Sequence, residues 1–340
     1  MPWPTRTPTL GGLMSPLGPA DPITSLLDRS RFQAADVMCR VDPKRSPFDL
    51  TSPVSGAPAT GLKHIEVTQK ELLLLVGRKE VKDAKQQAIF DAIINAASAA
   101  LWFNKISTDP LQLCHFLGQC CHETGGFTAL KEDTFYTEKN VRAAHKNLTE
   151  DQIARYSSCT AAEVREKIAE LDKKIAKATI AKADTTEMQK AKEALQAKLK
   201  GLAAENRKAQ EAYFNFKYGP TGPALGNTLP GDGWKFIGRG FIHLTGRENY
   251  EKFAKWMKEQ SPGADTPPVV EQPDLLDTDA TVGLRAGLFF WLTKKCDVKA
   301  TKDDSEAVSK IVNRYDAKTF PKRAALTKKA KEIWGEKKPT

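Results

Sequence analysis

From Val67 onward, apolar residues recur at helical spacing through most of the chain. Leu72, Leu73 and Val76 form a first stripe, and Thr68 with Glu71 three positions later is a capping-box spacing that starts a helix there. Ile89, Phe90, Ile93, Ile94 and Ala97 share one face of a second helix, predicted over 83–103. Asp109-Pro110 opens a third, since Asp is a favoured N-cap and Pro a favoured first helical residue. Leu113, Phe116, Leu117 and Cys120 supply its buried stripe, and Gly125-Gly126 stop it just past His122-Glu123. Further helices are predicted over 138–145, 150–156, 248–259, 279–294, 305–313 and 322–334. Alternating patterns are few, so the expected fold class is mainly α.

Three segments break this rhythm. Residues 1–62 are rich in Pro, Gly, Ser and Thr and read as a partly disordered arm with one short helix near 22–34. The folded domain is expected over 63–340. Within it, residues 160–212 are dominated by Ala, Lys and Glu. Val164, Ile168, Leu171 and Ile175 form one stripe there, and Met188, Leu195, Leu199 and Leu202 another, with a break at Ala183-Asp184-Thr185-Thr186. That pattern predicts an inserted antiparallel helical hairpin of coiled-coil type. Residues 213–250 are aromatic and Gly-rich and read as a separate stretch, where a backbone can approach a ligand closely. Gly238-x-Gly240 does not extend to a dinucleotide fingerprint and has no βαβ pattern around it.

A net charge of +10 favours acidic partners, among them an anionic cell-wall polymer. Much of the excess lies in Lys-rich helices whose mixed charges suit solvated faces, and no nucleic-acid role is expected. The longest apolar runs, such as Leu72 to Val76, are too short to span a bilayer, so no stable membrane insertion is expected. Six cysteines show no CxxC pair, which leaves zinc-ribbon and redox motifs unsupported. Cys114, Cys120, Cys121 and Cys296 sit in apolar helical contexts and are expected as small core residues. Pro2 and Pro4, with no apolar run behind a basic start, give no readable signal peptide. The expectation is synthesis in the cytoplasm and delivery to a periplasm or cell wall by another route.

Glu123 stands out because the C-terminal end of a helix carries the negative pole of its dipole and disfavours an anion. Its pKa is therefore expected to rise, which suits a general acid. Glycoside hydrolysis needs a second, ionised carboxylate. Glu132, nine positions on in a polar loop, is expected to be better solvated and to act as the base, with Asp133 as its competitor. His122 and His115 lack an HExxH arrangement, so neither a metal nor another cofactor is expected; His122 should orient Glu123 or pack beside it.

His122-Glu123-Thr124-Gly125-Gly126-Phe127, together with Gly238-Arg239-Gly240-Phe241-Ile242-His243-Leu244-Thr245-Gly246-Arg247-Glu248-Asn249-Tyr250, resembles glycoside hydrolase family 19, in particular its lysozyme-type endolysins from bacteria and phages. Gly231-Asp232-Gly233-Trp234, Pro273-Asp274-Leu275-Leu276, Phe289-Phe290-Trp291, Val312-Asn313 and Arg323 add to the likeness. The resemblance implies a lysozyme-like, two-lobed helical fold and hydrolysis of β-1,4 glycosidic bonds with inversion. It places the general acid on Glu123, the second carboxylate on Glu132, and supporting or substrate-binding roles on Thr134, His243, Thr245, Asn249, Tyr250, Asn313 and Arg323. The chain departs from the family at His243, where Gln is usual, and at the 160–212 hairpin, where relatives have a shorter connection.

The leading functional expectation is cleavage of the MurNAc–GlcNAc backbone of peptidoglycan, by a phage endolysin or an injected antibacterial effector. A chitinase is the nearest alternative, and a non-catalytic glycan-binding or inhibitory protein on the same fold is the alternative of another class. Peptidoglycan strands are the expected partner. An immunity protein or a secretion carrier is a further one, with the hairpin and the N-terminal arm as its candidate surfaces.

Overall fold

A computed structural model describes residues 64–98, 106–220, 225–260 and 265–338. The arm over 1–62, its short helix, and the end of the helix expected over 83–103 lie outside the described residues. Within them the chain is mainly helical, as expected, and extended pairing is limited to two isolated bridges, Lys131 with Arg239 and Arg239 with Leu244. None of the described helices is long and apolar enough to cross a membrane.

The helices are α1 (Gln69–Val76), α2 (Ala84–Ser98), α3 (Pro110–Glu123), α4 (Glu138–Ala144), α5 (Glu150–Tyr156), α6 (Ala161–Ile180), α7 (Thr186–Tyr218), α8 (Asp232–Lys235), α9 (Arg247–Gln260), α10 (Leu275–Thr278), α11 (Ala280–Thr293), α12 (Cys296–Ala300), α13 (Ser305–Asn313) and α14 (Phe320–Trp334). The caps are the ones the sequence carries. Thr68 and Glu71 close a capping box on α1, and Asp109 accepts from the backbone of Leu111 and Gln112 ahead of Pro110.

Helix α3 is the central strut: Leu113 through Cys121 are all buried. Such a helix needs partners on every side, and α14 comes closest. A Cβ on Gly118 would lie 2.8 Å from Thr327 Oγ1 and 2.9 Å from its Cα, so only glycine lets the two backbones approach this far. Around this contact α1, α2, α3, α11 and α14 share the largest core cluster, with Phe116 edge-on to Trp291 and Trp334 fully buried. Cys114, Cys120, Cys121 and Cys296 are free and buried in it, and burial pushes the thiols of Cys114, Cys121 and Cys296 up to about 12, which makes them inert.

Two smaller clusters flank the strut. One joins α9 to α10 and α11 through Phe253, Met257, Leu276 and Phe289. The other packs Val141, Ile153 and Tyr156 of α4 and α5 against Tyr213 and Phe214 of α7. Helices α6 and α7 form the expected hairpin, but α7 does not end near residue 212. It runs on through Tyr213-Phe214-Asn215-Phe216-Lys217-Tyr218, so the aromatic run is the root of the hairpin rather than a separate stretch. A 33-residue helix is about 50 Å long, and its buried residues, Ala209, Tyr213 and Phe214, all sit in its last third.

Candidate active site

The first carboxylate is fixed by how α3 stops. Thr124 Oγ1 donates to the Cys120 carbonyl at 2.6 Å and accepts from Phe127 N at 2.9 Å. Gly125, Gly126 and Phe127 then follow one another at positive φ, winding the chain away and leaving Glu123 as the final helical residue. Its side chain is only 12% exposed. Arg323 Nη2 of α14 lies 2.6 Å from Glu123 Oε1, and His243 Nδ1 lies 3.4 Å from Oε2. The guanidinium is itself pinned: Arg323 Nη1 donates to Gln119 Oε1 at 2.9 Å, and Gln119 Nε2 donates to Ser309 Oγ at 3.2 Å.

This pairing overturns the expectation that Glu123 has a raised pKa. Burial does push it up, but the His243 contact and the Arg323 charge together outweigh burial and hold the carboxyl at about 2. The helix-end argument fails because a guanidinium and an imidazole lie far closer than the diffuse pole of the helix. His122 is half-buried, and burial followed by the Arg323 charge pushes its pKa down, which favours a neutral ring. It packs beside the acid and makes no hydrogen bond to it.

The second carboxylate is held by backbone. Glu132 N donates to the Gly238 carbonyl at 3.0 Å, and Gly238 N donates back to Glu132 Oε1 at 2.6 Å. Tyr218 Oη donates to Oε2 at 3.1 Å, and Lys217 Nζ stands 3.5 Å from the same oxygen. That ammonium also lies 4.5 Å from the Tyr218 ring centre, 5.2 Å from Phe214 and 5.5 Å from Tyr136, a cation cradled by aromatic faces. Burial and then the nearby Glu132 charge push the Tyr218 phenol far above its usual range, so it stays a donor. Glu132 is 15% exposed, against 12% for Glu123, so the expectation that its loop leaves it better solvated is not met; the α7 root covers it. Asp133, the competing candidate, is exposed and accepts from Phe135 N, a turn-forming contact.

The 238–250 motif joins the two acids. A Cβ on Gly238 would lie 3.0 Å from His243 Cβ, 3.1 Å from Glu132 Oε1 and 3.2 Å from Thr245 Oγ1. Glycine therefore lets the backbone sit between Glu132 and the residue that touches Glu123. Thr245 Oγ1 donates to the His243 carbonyl at 2.8 Å, and Asn249 Nδ2 donates to the Thr245 carbonyl at 2.7 Å. Both brace this turn. Tyr250 is fully buried and donates to the Ile237 carbonyl at 3.0 Å, a scaffold contact. Arg323 is likewise buried, its guanidinium held between Glu123 and Gln119. Thr134 Oγ1 reaches Gln210 of α7 at 3.4 Å, and Asn313 Oδ1 accepts from Tyr315 N at 3.3 Å; neither bonds to either acid.

Four residues of this arrangement were not picked out from the sequence. Gln119 stands four positions before Glu123, a spacing that puts both on one helix face and was a usable signal. Lys217 and Tyr218 carried none beyond their aromatic context. Arg239 anchors the turn, with Nε 2.8 Å from Asp277 Oδ1 and Nη1 donating to the Lys235 carbonyl at 2.9 Å.

Residues 223–310 match the family profile described as chitinase class I, glycoside hydrolase family 19. The likeness to that family is confined to this segment, about a quarter of the chain. Over 88 residues it is 31% identical to a glycosyl hydrolase family 19 domain-containing protein of Haemophilus influenzae, which is 26% of this chain and 38% of that one. Over 58 residues it is 43% identical to an acidic 27 kDa endochitinase of Solanum lycopersicum, covering 17% and 20% of the two chains. The chain thus spans well under half the length of these relatives. A crystal structure of a chitinase C mutant aligns with a TM-score of 0.44 at 13% identity, covering 82% of this chain and 98% of that one. The family 19 segment contains His243, Thr245, Asn249 and Tyr250. Glu123 and Glu132 lie before it and Asn313 and Arg323 after it, and the fold brings Glu123, Glu132 and Arg323 to it.

Proposed function

We propose that this chain is a glycoside hydrolase that cuts β-1,4-linked polymers of N-acetylated hexosamine by inversion, with Glu123 as general acid and Glu132 as general base. The observation that carries this reading is the pair of nearly enclosed carboxylates on either side of the Gly238–His243 turn, each with its own fixed partners. Glu132, held by Gly238 N and Tyr218 Oη, takes the proton of the attacking water. Glu123 delivers a proton to the leaving oxygen as the C1–O bond breaks. In the free protein the His243 and Arg323 contacts hold Glu123 ionised at neutral pH, so it must be protonated before it can act as the acid.

Peptidoglycan is the first substrate reading, supported by a net charge of +10 against an anionic wall polymer. Chitin is the second, favoured by the plant endochitinases among the relatives. Purified peptidoglycan and chitin oligomers digested in parallel, with new reducing ends identified by mass spectrometry, separate the two. The hydrolase reading is overturned if Glu123→Gln and Glu132→Gln release reducing ends as fast as the parent chain.

A further inference from the structure

The turn between α13 and α14 carries an unusual pair of residues. Asp316 N donates to the Asn313 carbonyl at 3.3 Å, which makes Arg314 and Tyr315 its two central positions. Asn313 Oδ1 accepts from Tyr315 N at 3.3 Å, the way an Asn side chain fixes a turn from its first position. Small or polar residues are the usual occupants of such turn centres. Here they are a guanidinium and a phenol ring, and both are exposed.

Tyr315 is 84% exposed, and it is the one aromatic among the exposed large hydrophobic side chains of the described residues. A single exposed apolar side chain needs no explanation of its own. This ring, however, is held. Arg314 Cζ lies 4.8 Å from the ring centre, and Arg314 Nη2 donates to the Tyr315 hydroxyl at 2.7 Å. The cation orders the ring from one side, and the exposure of the residue leaves the rest of it to solvent.

The turn borders the candidate acid. Just beyond it, Thr319 Oγ1 accepts from Arg323 Nε at 3.2 Å, and the same guanidinium reaches Glu123 Oε1 through Nη2 at 2.6 Å. Burial acts most strongly on the neighbouring His122 ring, followed by the charges of Arg323, Glu123 and Asp316, so the end of the turn and the acid share one neighbourhood.

We propose that Tyr315, braced by Arg314, is a stacking platform for a sugar ring flanking the scissile bond on the Glu123 side of the site. This rests on the hydrolase reading above and adds to it a binding contact outside the two carboxylates. The chemistry suits a β-1,4-linked hexosamine. With its substituents equatorial, such a ring turns C–H bonds to its faces and polar groups to its edge, so a face packs on an aromatic ring as apolar surface does. A side chain already ordered by Arg314 loses little rotamer freedom when the sugar arrives. The contact is uncharged on the sugar's side, so it adds affinity for peptidoglycan and chitin strands alike.

The test is calorimetric binding to the full chain carrying Glu132→Gln, which suppresses cleavage. The probes are the hexamer of N-acetylglucosamine and a peptide-free MurNAc–GlcNAc hexamer. Tyr315→Ala weakens whichever probe binds by about tenfold, while Tyr315→Phe, which keeps the ring, stays within about threefold. Since the side chain is exposed, Tyr315→Ala leaves the thermal midpoint in place, which separates lost affinity from lost folding. In the chain that retains Glu132, the same substitution lowers kcat/KM on that hexamer by a like factor. Equal affinity in Tyr315→Ala overturns the subsite, and so does a Tyr315→Phe as weak as Tyr315→Ala, which would assign the effect to the hydroxyl. A second readout leaves position 315 untouched: the Tyr315 ring signals in a 13C–1H NMR spectrum shift as the probe is added, and unmoved signals overturn the proposal. A parent chain that binds neither hexamer overturns the glycan-hydrolase reading and the subsite with it, whereas binding indifferent to Tyr315 overturns the subsite alone.

Discussion

Removing the Arg323 guanidinium tests the electrostatics of the site most directly. The gap between an ordinary carboxyl at 4.5 and Glu123 at about 2 corresponds to about 3 kcal/mol in favour of its ionised form. Arg323→Met keeps much of the side-chain volume but leaves a carboxylate that is 12% exposed without its closest cation. Breaking a buried pair in this way costs about 3–5 kcal/mol. The sign with pH follows from the depressed folded value: the pair stabilises the fold fully above about pH 4.5 and loses that contribution as pH falls toward 2. In Arg323→Met the Glu123 pKa rises, so protonation relieves the penalty at a higher pH than in the parent. Urea unfolding at pH 7 therefore shows a loss of about 3 kcal/mol or more, and the same comparison at pH 4 shows a smaller one. Adding Glu123→Gln to Arg323→Met restores part of the stability at pH 7, because the uncompensated charge is gone. A loss below about 1 kcal/mol at pH 7, or an equal loss at both pH values, would refute the account and reduce Arg323 to packing.

Glu132→Gln keeps an acceptor for Gly238 N but cannot take a proton, so reducing-end release falls about 10²–10⁴-fold with little change in KM. Gly238→Ala puts a Cβ 3.0–3.2 Å from His243, Glu132 and Thr245, and it lowers kcat more than it lowers the unfolding midpoint. Tyr250→Phe removes a fully buried donor to the Ile237 carbonyl; chemical unfolding shows a loss of about 1–2 kcal/mol while KM is unchanged, whereas a raised KM would return Tyr250 to the substrate site. Replacing residues 168–202 by a short turn leaves the cores intact, since the buried residues of the hairpin are Val164, Ala209, Tyr213 and Phe214 near its root, and thermal unfolding moves by only a few degrees.

Much of the helical frame was legible because its signals are local. Thr68 and Glu71, Asp109 and Pro110, and the stripes of α2, α3 and α6 act within a turn or two of themselves, so periodicity and capping locate them. The root of α7 was misread because Tyr213 to Tyr218 look like a ligand-lining run in one dimension. In the fold those rings bury against α4 and α5 and bring Lys217 and Tyr218 onto Glu132.

The residue chemistry of the site, two carboxylates with a Gly-rich turn between them, was determined by sequence alone. So was the position of Glu123 at a helix end, since the stop after α3 is written in Thr124, Gly125 and Gly126. Charge state was not. Glu123 and Arg323 are 200 positions apart in the chain and 2.6 Å apart in space, and His243 reaches the same carboxyl from a third segment. At such distances in a nearly dry site, Coulomb and hydrogen-bond terms exceed both burial and the pole of the helix. The tertiary structure, which alone sets those distances, turned a predicted neutral acid into an ionised one.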